Sequence, residues 1–352
     1  MRHRLKTWTL ILVLLCCAVP HAGGMVMING REDRELDAKM KKGMDLLFRE
    51  NFSAAIKLFE QIKKDYPNHP VGYFLTAAAL DARMYFYLSA DQEAEFMKNC
   101  EKAIEIGEAL TQKNPRDTWV LFFTGGAYGY IGTFQTRYKR YITSFRNGWS
   151  GVTLLKQIHE MDNTFVDVLY GLGLYDYWSS KLSKLMWWMP GLGDKREEGI
   201  NQLKRVASEG YYTSQPAAAN LMWIYITENR QQEGIDIAQK MLQKYPSNRI
   251  FSFGLAEAYY YMGQYDKSER LFRYILDISD SEDFNNNVNA LHCHLFLARI
   301  YEKNKAWHSA MAECRRGLKY RFNETDDLAA KENYADLKNT LDRVKGNYSP
   351  QR

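Results

Sequence analysis

Leu221 and Tyr225 stand four residues apart, and the same pair returns as Leu255 and Tyr259 after 34 residues and as Leu297 and Tyr301 after 42 more. A spacing of four places two side chains one above the other on a single face of an α-helix. Recurrence at a nearly fixed interval demands like units stacked side by side. Proline placement supports this. Apart from Pro20 and Pro350, the prolines are Pro67, Pro70, Pro115, Pro190, Pro216 and Pro246. A proline inside a helix loses a hydrogen bond and clashes with the preceding turn. The windows between these prolines show helical periodicity and no strand-like alternation, so they read as helices. Each Leu/Tyr pair is followed by a short turn and a second helix, predicted at Gln231 to Lys244, Tyr265 to Ile278 and Trp307 to Lys319.

Leu255, Ala256, Tyr259, Tyr265 and Phe272 in one unit, and Leu297, Ala298, Tyr301, Trp307 and Ala310 in the next, resemble the tetratricopeptide repeat, a 34-residue helix-turn-helix. Gly43, Phe52, Ala55, Phe59 and Pro67 carry the same spacing near the N-terminus. The small residues let neighbouring helices approach and the aromatics fill the gap between repeats. One helix pair cannot bury its own apolar stripe, so stacking is obligatory. The expected fold is all-α: a right-handed tetratricopeptide-like solenoid of about seven helix pairs, closed by a polar capping helix over Asp326 to Val344. The predicted organisation is a signal peptide at 1–24 and a solenoid at 32–346. The solenoid divides into N-terminal pairs (32–115), irregular central pairs with an apolar insertion (116–212), regular units (213–322) and the cap (326–346), with a tail at 347–352. In the centre, Asp117 to Thr136 pairs with Ser144 to Met161, and Thr164 to Lys184 with Lys195 to Glu209.

The stretch from Tyr170 to Leu203 orders a Gly-rich helix, a Lys-Leu segment, an apolar turn and Gly-Asp-Lys-Arg before a helix with Gly199 and Leu203. It is similar to the middle of the eukaryotic inclusion-body-clearance family of outer-membrane-associated tetratricopeptide proteins, and to exported bacterial relatives. The likeness begins near Trp119. It implies a binding or adaptor role and transfers no catalytic residue. A secretory signal sets this chain apart, so a cytosol-facing role is not carried over.

That signal is read from Arg2, Arg4 and Lys6 ahead of the apolar run Trp8 to Val19, with small residues at Ala22, Gly23 and Gly24. The run falls short of the ~20 residues a membrane span needs. Export to a periplasm or cell envelope is expected. Cys16 and Cys17 follow Leu15 and Cys16 rather than the small residue that a lipoprotein signal carries, so lipidation is the lesser expectation. Cys100, Cys293 and Cys314 are too few and too scattered for a disulfide framework.

The 47 Lys+Arg and 42 Asp+Glu of the 352 residues leave a net charge of +5, and three of the positives lie in the signal. No global electrostatic case for nucleic acid follows. Hydrophobic residues at 46% and charged residues at 25% exclude a disordered, collagenous or disulfide-stapled chain. Gly125, Gly126, Gly129 and Gly132 lie within a predicted helix with no strand before them, so they suit close helix packing rather than a phosphate cradle. His292 and His294 are two apart on a helix, about 200° around it, and do not share a metal. Asp277, Asp280, Glu282 and Asp283 lack the EF-hand order. No catalytic residue, metal or cofactor is expected. Arg137, Lys139, Arg140 and Arg146, interleaved with Tyr138, Tyr141 and Phe145, read as a solvated face, with anionic lipid or polymer as the alternative.

Two features stand out. The helical register puts Trp223, Phe253, Glu257, Tyr260, Tyr261, His292, Arg299 and Glu302 on the inner face of the array, where aromatic anchors with a few charges suit a protein or peptide partner. Leu185, Met186, Trp187, Trp188 and Met189, after Lys181 and Lys184, form an apolar turn expected either to fold over the solenoid or to contact a partner or a membrane surface.

Overall fold

The computed structural model describes residues 24–183, 193–280, 287–322 and 328–348. The signal segment before Gly24, the tail from 349, and Lys184 with Leu185, Met186, Trp187, Trp188 and Met189 lie outside the described residues. A two-residue hairpin, β1 (Met27–Ile28) and β2 (Arg31–Glu32), opens the described chain. Then come α1 (Arg34–Phe48), α2 (Phe52–Asp65), α3 (Pro70–Phe86), α4 (Glu93–Lys113), α5 (Thr118–Arg137), α6 (Tyr141–Met161), α7 (Val168–Ser183) and α8 (Arg196–Glu209). The regular part holds α9 (Ser214–Thr227), α10 (Gln231–Lys244), α11 (Arg249–Tyr261), α12 (Tyr265–Asp280), α13 (Asn287–Lys303) and α14 (Trp307–Gly317), and α15 (Leu328–Asn347) closes the array. Among the described residues, seven consecutive pairs and a closing helix account for all of these helices. Each helix packs on its successor, and α15 packs on both α13 and α14.

One turn geometry repeats. The residue closing the first helix of a pair has positive φ at Glu50, Leu88, Lys139, Asn229, Gly263 and Lys305. The next residue donates its N–H back to a carbonyl five positions earlier: Asn51 to Leu46, Ser89 to Met84, Arg140 to Gln135, Arg230 to Tyr225, Gln264 to Tyr259 and Ala306 to Tyr301, all at 2.8–3.0 Å. This six-to-one bond satisfies a carbonyl that the helix end would leave orphaned. In the regular units the acceptor is the Tyr of the Leu/Tyr pair. Leu221, Leu255 and Leu297 are buried, as is Tyr225, whereas Tyr259 and Tyr301 are only partly covered.

The central glycines set how closely helices cross. A Cβ on Gly151 would stand 2.7 Å from the Gly125 carbonyl oxygen, and one on Gly173 would stand 2.9 Å from that of Gly199. So α5 meets α6, and α7 meets α8, backbone to backbone.

The array also closes on itself. At the end of α1 the Phe48 carbonyl accepts from Asn248 Nδ2 at 2.8 Å, while the Glu50 carboxylate accepts the backbone N–H of Arg249 and its Nε at 2.7 Å. Side chains cap the facing helix ends here: the Asn248 amide donates to a C-terminal carbonyl of α1, and the Glu50 carboxylate accepts the first N–H of α11. The next junction places Asn289 Nδ2 3.3 Å from the Phe86 carbonyl, joining α3 to α13. A third sets Lys139 3.1 Å from Glu332, joining the end of α5 to α15. The first three pairs thus sit on the sixth pair, the seventh pair and the closing helix.

The start of the chain is tied in the same way. Tyr212 donates to Asp37 at 2.7 Å and accepts the Val26 N–H at 3.0 Å. Asp167 accepts the N–H groups of Tyr211, Tyr212 and Thr213 at 2.7–3.0 Å, which fixes the α8–α9 connection. Cys100, Cys293 and Cys314 are buried free thiols.

His69 caps α3, its Nδ1 accepting the Val71 N–H at 3.2 Å ahead of Pro70. Burial lowers its pKa from 6.5 to about 4. The unfolded chain therefore takes up a proton that the folded chain refuses, and stability falls as pH drops from 6.5 towards 4. The expected loss from this one group is about 3 kcal/mol. Urea midpoints at pH 7 and pH 4 measure it in the wild type against His69→Asn, which keeps a capping oxygen without the titration. A variant with the same pH slope as the wild type would remove His69 from the account.

Candidate functional site

The first helices of the later pairs, α9, α11 and α13, lie in sequence with α15 beside them. The side chains chosen from the register converge there. Phe253 meets the His292 ring edge-on at 5.3 Å, and Phe296 lies 4.9 Å from His292 and 5.2 Å from Tyr260. Tyr261 packs at 5.4 Å against Tyr260 and keeps 53% of its surface exposed. Burial pushes both phenols above their ordinary pKa. Trp223 packs between the clusters around α10 and around Phe253, with its indole N–H buried and without a partner among the described residues. It holds repeats together rather than standing out as an anchor.

The charges are already spoken for. Asn333 Nδ2 lies 3.3 Å from His292 Nδ1, which leaves Nε2 to donate to Glu257 at 2.9 Å. Arg299 lies over Phe296 at 5.4 Å and pairs with Asp336 at 2.8 Å. Glu302 pairs with Arg343 at 2.6 Å. A carboxylate for Arg299 is therefore supplied from within the chain, and an acidic ligand must compete with Asp336 for it. Asn333, Asp336 and Arg343 belong to α15, which the sequence presented only as a polar cap. Their signal is the spacing of 333, 336 and 343, one stripe of a helix.

The N-terminal ends of α11 and α13 are covered by the ends of α1 and α3. Tyr260, Tyr261, Phe296 and Arg299 sit on the opposite halves of the same helices. The inner face thus divides into a half closed by the chain itself and a half where aromatic rings reach water.

His294 leaves this face. Its Nδ1 lies 2.8 Å from Glu313. Burial pushes the Glu313 carboxyl up, but the His294 hydrogen bond and the Arg316 and Arg273 charges outweigh it and hold it below the usual range. The two histidines serve different partners. Among the described residues no group of three or more His, Cys, Asp or Glu is placed to hold a metal ion. Lys181, assigned to the apolar turn, pairs with Glu228 at 2.9 Å, and Tyr177 donates to the same carboxylate at 2.7 Å. It faces the end of α9 rather than an open surface.

The tetratricopeptide repeat profile matches residues 37–69, which span most of α1 and all of α2. Human IFIT1, in its dimer with PPP-AAAA, superposes with a TM-score of 0.56 at 14% identity, over 91% of this chain and 66% of that one. The chain carries a tetratricopeptide repeat and has a tetratricopeptide-like all-α fold. A thermophilic TPR protein of Thermus thermophilus matches at 18% identity and a TM-score of 0.40, over 63% of this chain and 97% of that one. A tetratricopeptide repeat protein of Parabacteroides merdae matches at 14% identity and a TM-score of 0.40, over 87% of this chain and 100% of that one. No curated protein matches the chain. For this tetratricopeptide-like array, identities this low establish the fold alone.

Proposed function

We propose that the chain is a non-catalytic, exported scaffold of the cell envelope that holds a protein or peptide along the open half of its inner face. The observation that carries this reading is the cluster of Tyr260, Tyr261 and Phe296, with Tyr261 half in water, Arg299 and Glu302 ion-paired and Glu257 hydrogen-bonded within the chain. An array of this type makes few demands on its inner helices beyond packing, so exposed aromatics there suit a partner's apolar side chains. Arg299 and Asp336 form the polar rim and set register rather than supply most of the affinity. The likeness of the central part to inclusion-body-clearance proteins supports an adaptor role. Export rests on the basic, apolar and small-residue order of the first 24 residues.

A photo-crosslinking amino acid in place of Tyr261, introduced in the native host, is expected to trap a discrete partner. The same group in place of Lys240, on the second helix of its pair, is expected to trap none. Tyr261→Ala with Arg299→Ala, both at least partly exposed, should weaken capture at least tenfold and shift the melting temperature by no more than about 4 °C. Equal trapping from both positions would remove the inner face as the site. Intact mass of the host-purified protein tests the export claim, and a retained Met1 would defeat it.

A further inference from the structure

The outer face of α6 is out of place on an array that buries its apolar stripes. Ile142 is 89% exposed, Trp149 53% and Tyr141 44%. Phe145 stacks at 6.4 Å on Trp149, and Trp149 in turn lies 6.4 Å from Tyr175 of α7. Trp178, one turn further along α7, is 45% exposed. Ile142, Arg146, Trp149, Thr153 and Lys156 follow one another at helical spacing, so the exposed rings and the exposed cations share a single ridge. The close α5–α6 crossing does not need them, because it runs through Gly125, Gly132, Gly148 and Gly151 on the other side of the helix, and against α7 only Trp149, among the described residues, makes a ring contact, with Tyr175.

Charge points to what covers the ridge. From residue 137 to residue 159 the chain has five Lys or Arg and no Asp or Glu. Lys139 leans on Glu332 at 3.1 Å and Arg140 on Glu93 at 3.6 Å. Arg146 has no ion-pair partner among the described residues, and Lys156 lies 5.8 Å over the Trp149 ring. Tryptophan, a β-branched aliphatic and free cations on one helix suit the boundary between lipid headgroups and acyl chains. There the rings enter the apolar layer and the cations stay among the phosphates. A ridge of side chains standing out along one helix meets a plane more readily than it fills a groove. Among the described residues no helix is long and apolar enough to cross a membrane, so the contact is peripheral.

We infer that the outer face of α6, through Ile142, Phe145, Trp149 and the flanking Arg146 and Lys156, docks on an anionic lipid surface. The inner face then stays free, and the scaffold presents its partner at a membrane. This surface is separate from the peptide-binding face and stands or falls apart from it.

Flotation of the full chain with phosphatidylcholine vesicles, with and without phosphatidylglycerol, tests the inference. Wild type and variants share the apolar residues 8–19, so differences between them report α6 alone. Ile142→Ser with Trp149→Ser is expected to cut the partition onto anionic vesicles at least ~tenfold while lowering the melting temperature only slightly, since Ile142 is 89% exposed and Trp149 is half exposed. Arg146→Glu with Lys156→Glu should cut it roughly fivefold or more for each cation. Raising salt from about 0.1 M to 0.5 M should weaken the wild type and leave the reversed variant unaffected. Variants that float like the wild type would overturn the assignment. So would dimerisation in ultracentrifugation that the Ile142 and Trp149 substitutions abolish with no change in flotation, which would give the ridge to a second copy of the chain.

Discussion

Arg249→Ala is expected to lower the stability of the fold by about 3–5 kcal/mol, the cost of breaking a buried ion pair and leaving one partner uncompensated. The Arg249 side chain is 2% exposed and that of Glu50 10%. Glu50 accepts both from the Arg249 side chain and from the first N–H of α11, while the guanidinium lies 4.4 Å over the Phe86 ring. One residue therefore connects the ends of α1 and α3 to the start of α11. Removing it takes the opposite charge away from the Glu50 carboxylate, whose side chain is only 10% exposed, and leaves it the backbone N–H of residue 249. Arg249→Met with Glu50→Gln removes both charges, and its loss should be smaller than that of Arg249→Ala alone. Urea unfolding of these variants and the corresponding single substitutions, analysed as a double-mutant cycle, measures the coupling. Hydrogen exchange should show protection falling together in α1 and α11. A loss below about 1 kcal/mol, or exchange confined to one side of the junction, would mean the closure is incidental to the fold.

The second half of the array was legible because its repeat is written in residues with strong preferences. Gly263 and Asn229 stand at two of the left-handed turn positions, and both types favour positive φ. The boundaries predicted for α10 coincide with those observed, and those for α12 and α14 fall within two residues at one end. In the first half the same turn is made by Glu50, Leu88 and Lys139, which carry no turn signal, and the array imposes the conformation on them. Asn29 and Gly30, both at positive φ between β1 and β2, form an Asn-Gly hairpin turn that helical periodicity does not register. The glycines of α5 were legible as close-packing positions because they recur at spacings of three and four within one helix.

The candidate site was half legible. Helical register alone selected Phe253, Tyr260, Tyr261, His292 and Arg299, which the fold brings near one another on α11 and α13, since they lie on helices of known phase. It gave no account of how the charges pair. Asp336 and Arg343 come from a helix whose position against α13 depends on tertiary packing, and no local pattern states it. The end-to-end closure was invisible for the same reason. Glu50 and Arg249 are 199 residues apart, and neither has a local neighbour that hints at the other.

Trp119→Ala is the larger test of the array's centre, with an expected loss of about 3–5 kcal/mol. Trp119 is fully buried, and its indole lies 4.6 Å from Phe165, 5.7 Å from Tyr212 and 5.8 Å from each of Phe122 and Phe123. It is the point where the start of α5, the α6–α7 connection and the α8–α9 connection meet. Tyr212 passes the contact on to Asp37 and Val26, so the cavity left by alanine would open beneath the N-terminal hairpin and α1. The surrounding rings come from three separate elements held by Asp167 and by helix caps, which limits how far they can collapse into the space. Trp119→Phe separates size from chemistry. The indole N–H has no partner among the described residues, so losing it removes an unsatisfied donor, and the phenyl ring retains most of the packing. Its cost should stay below about 1.5 kcal/mol. Thermal and urea unfolding of both variants, with near-ultraviolet circular dichroism to follow the aromatic cluster, decide the matter. If alanine costs no more than phenylalanine, the three connections are held by their hydrogen bonds alone and the ring cluster is not what binds them.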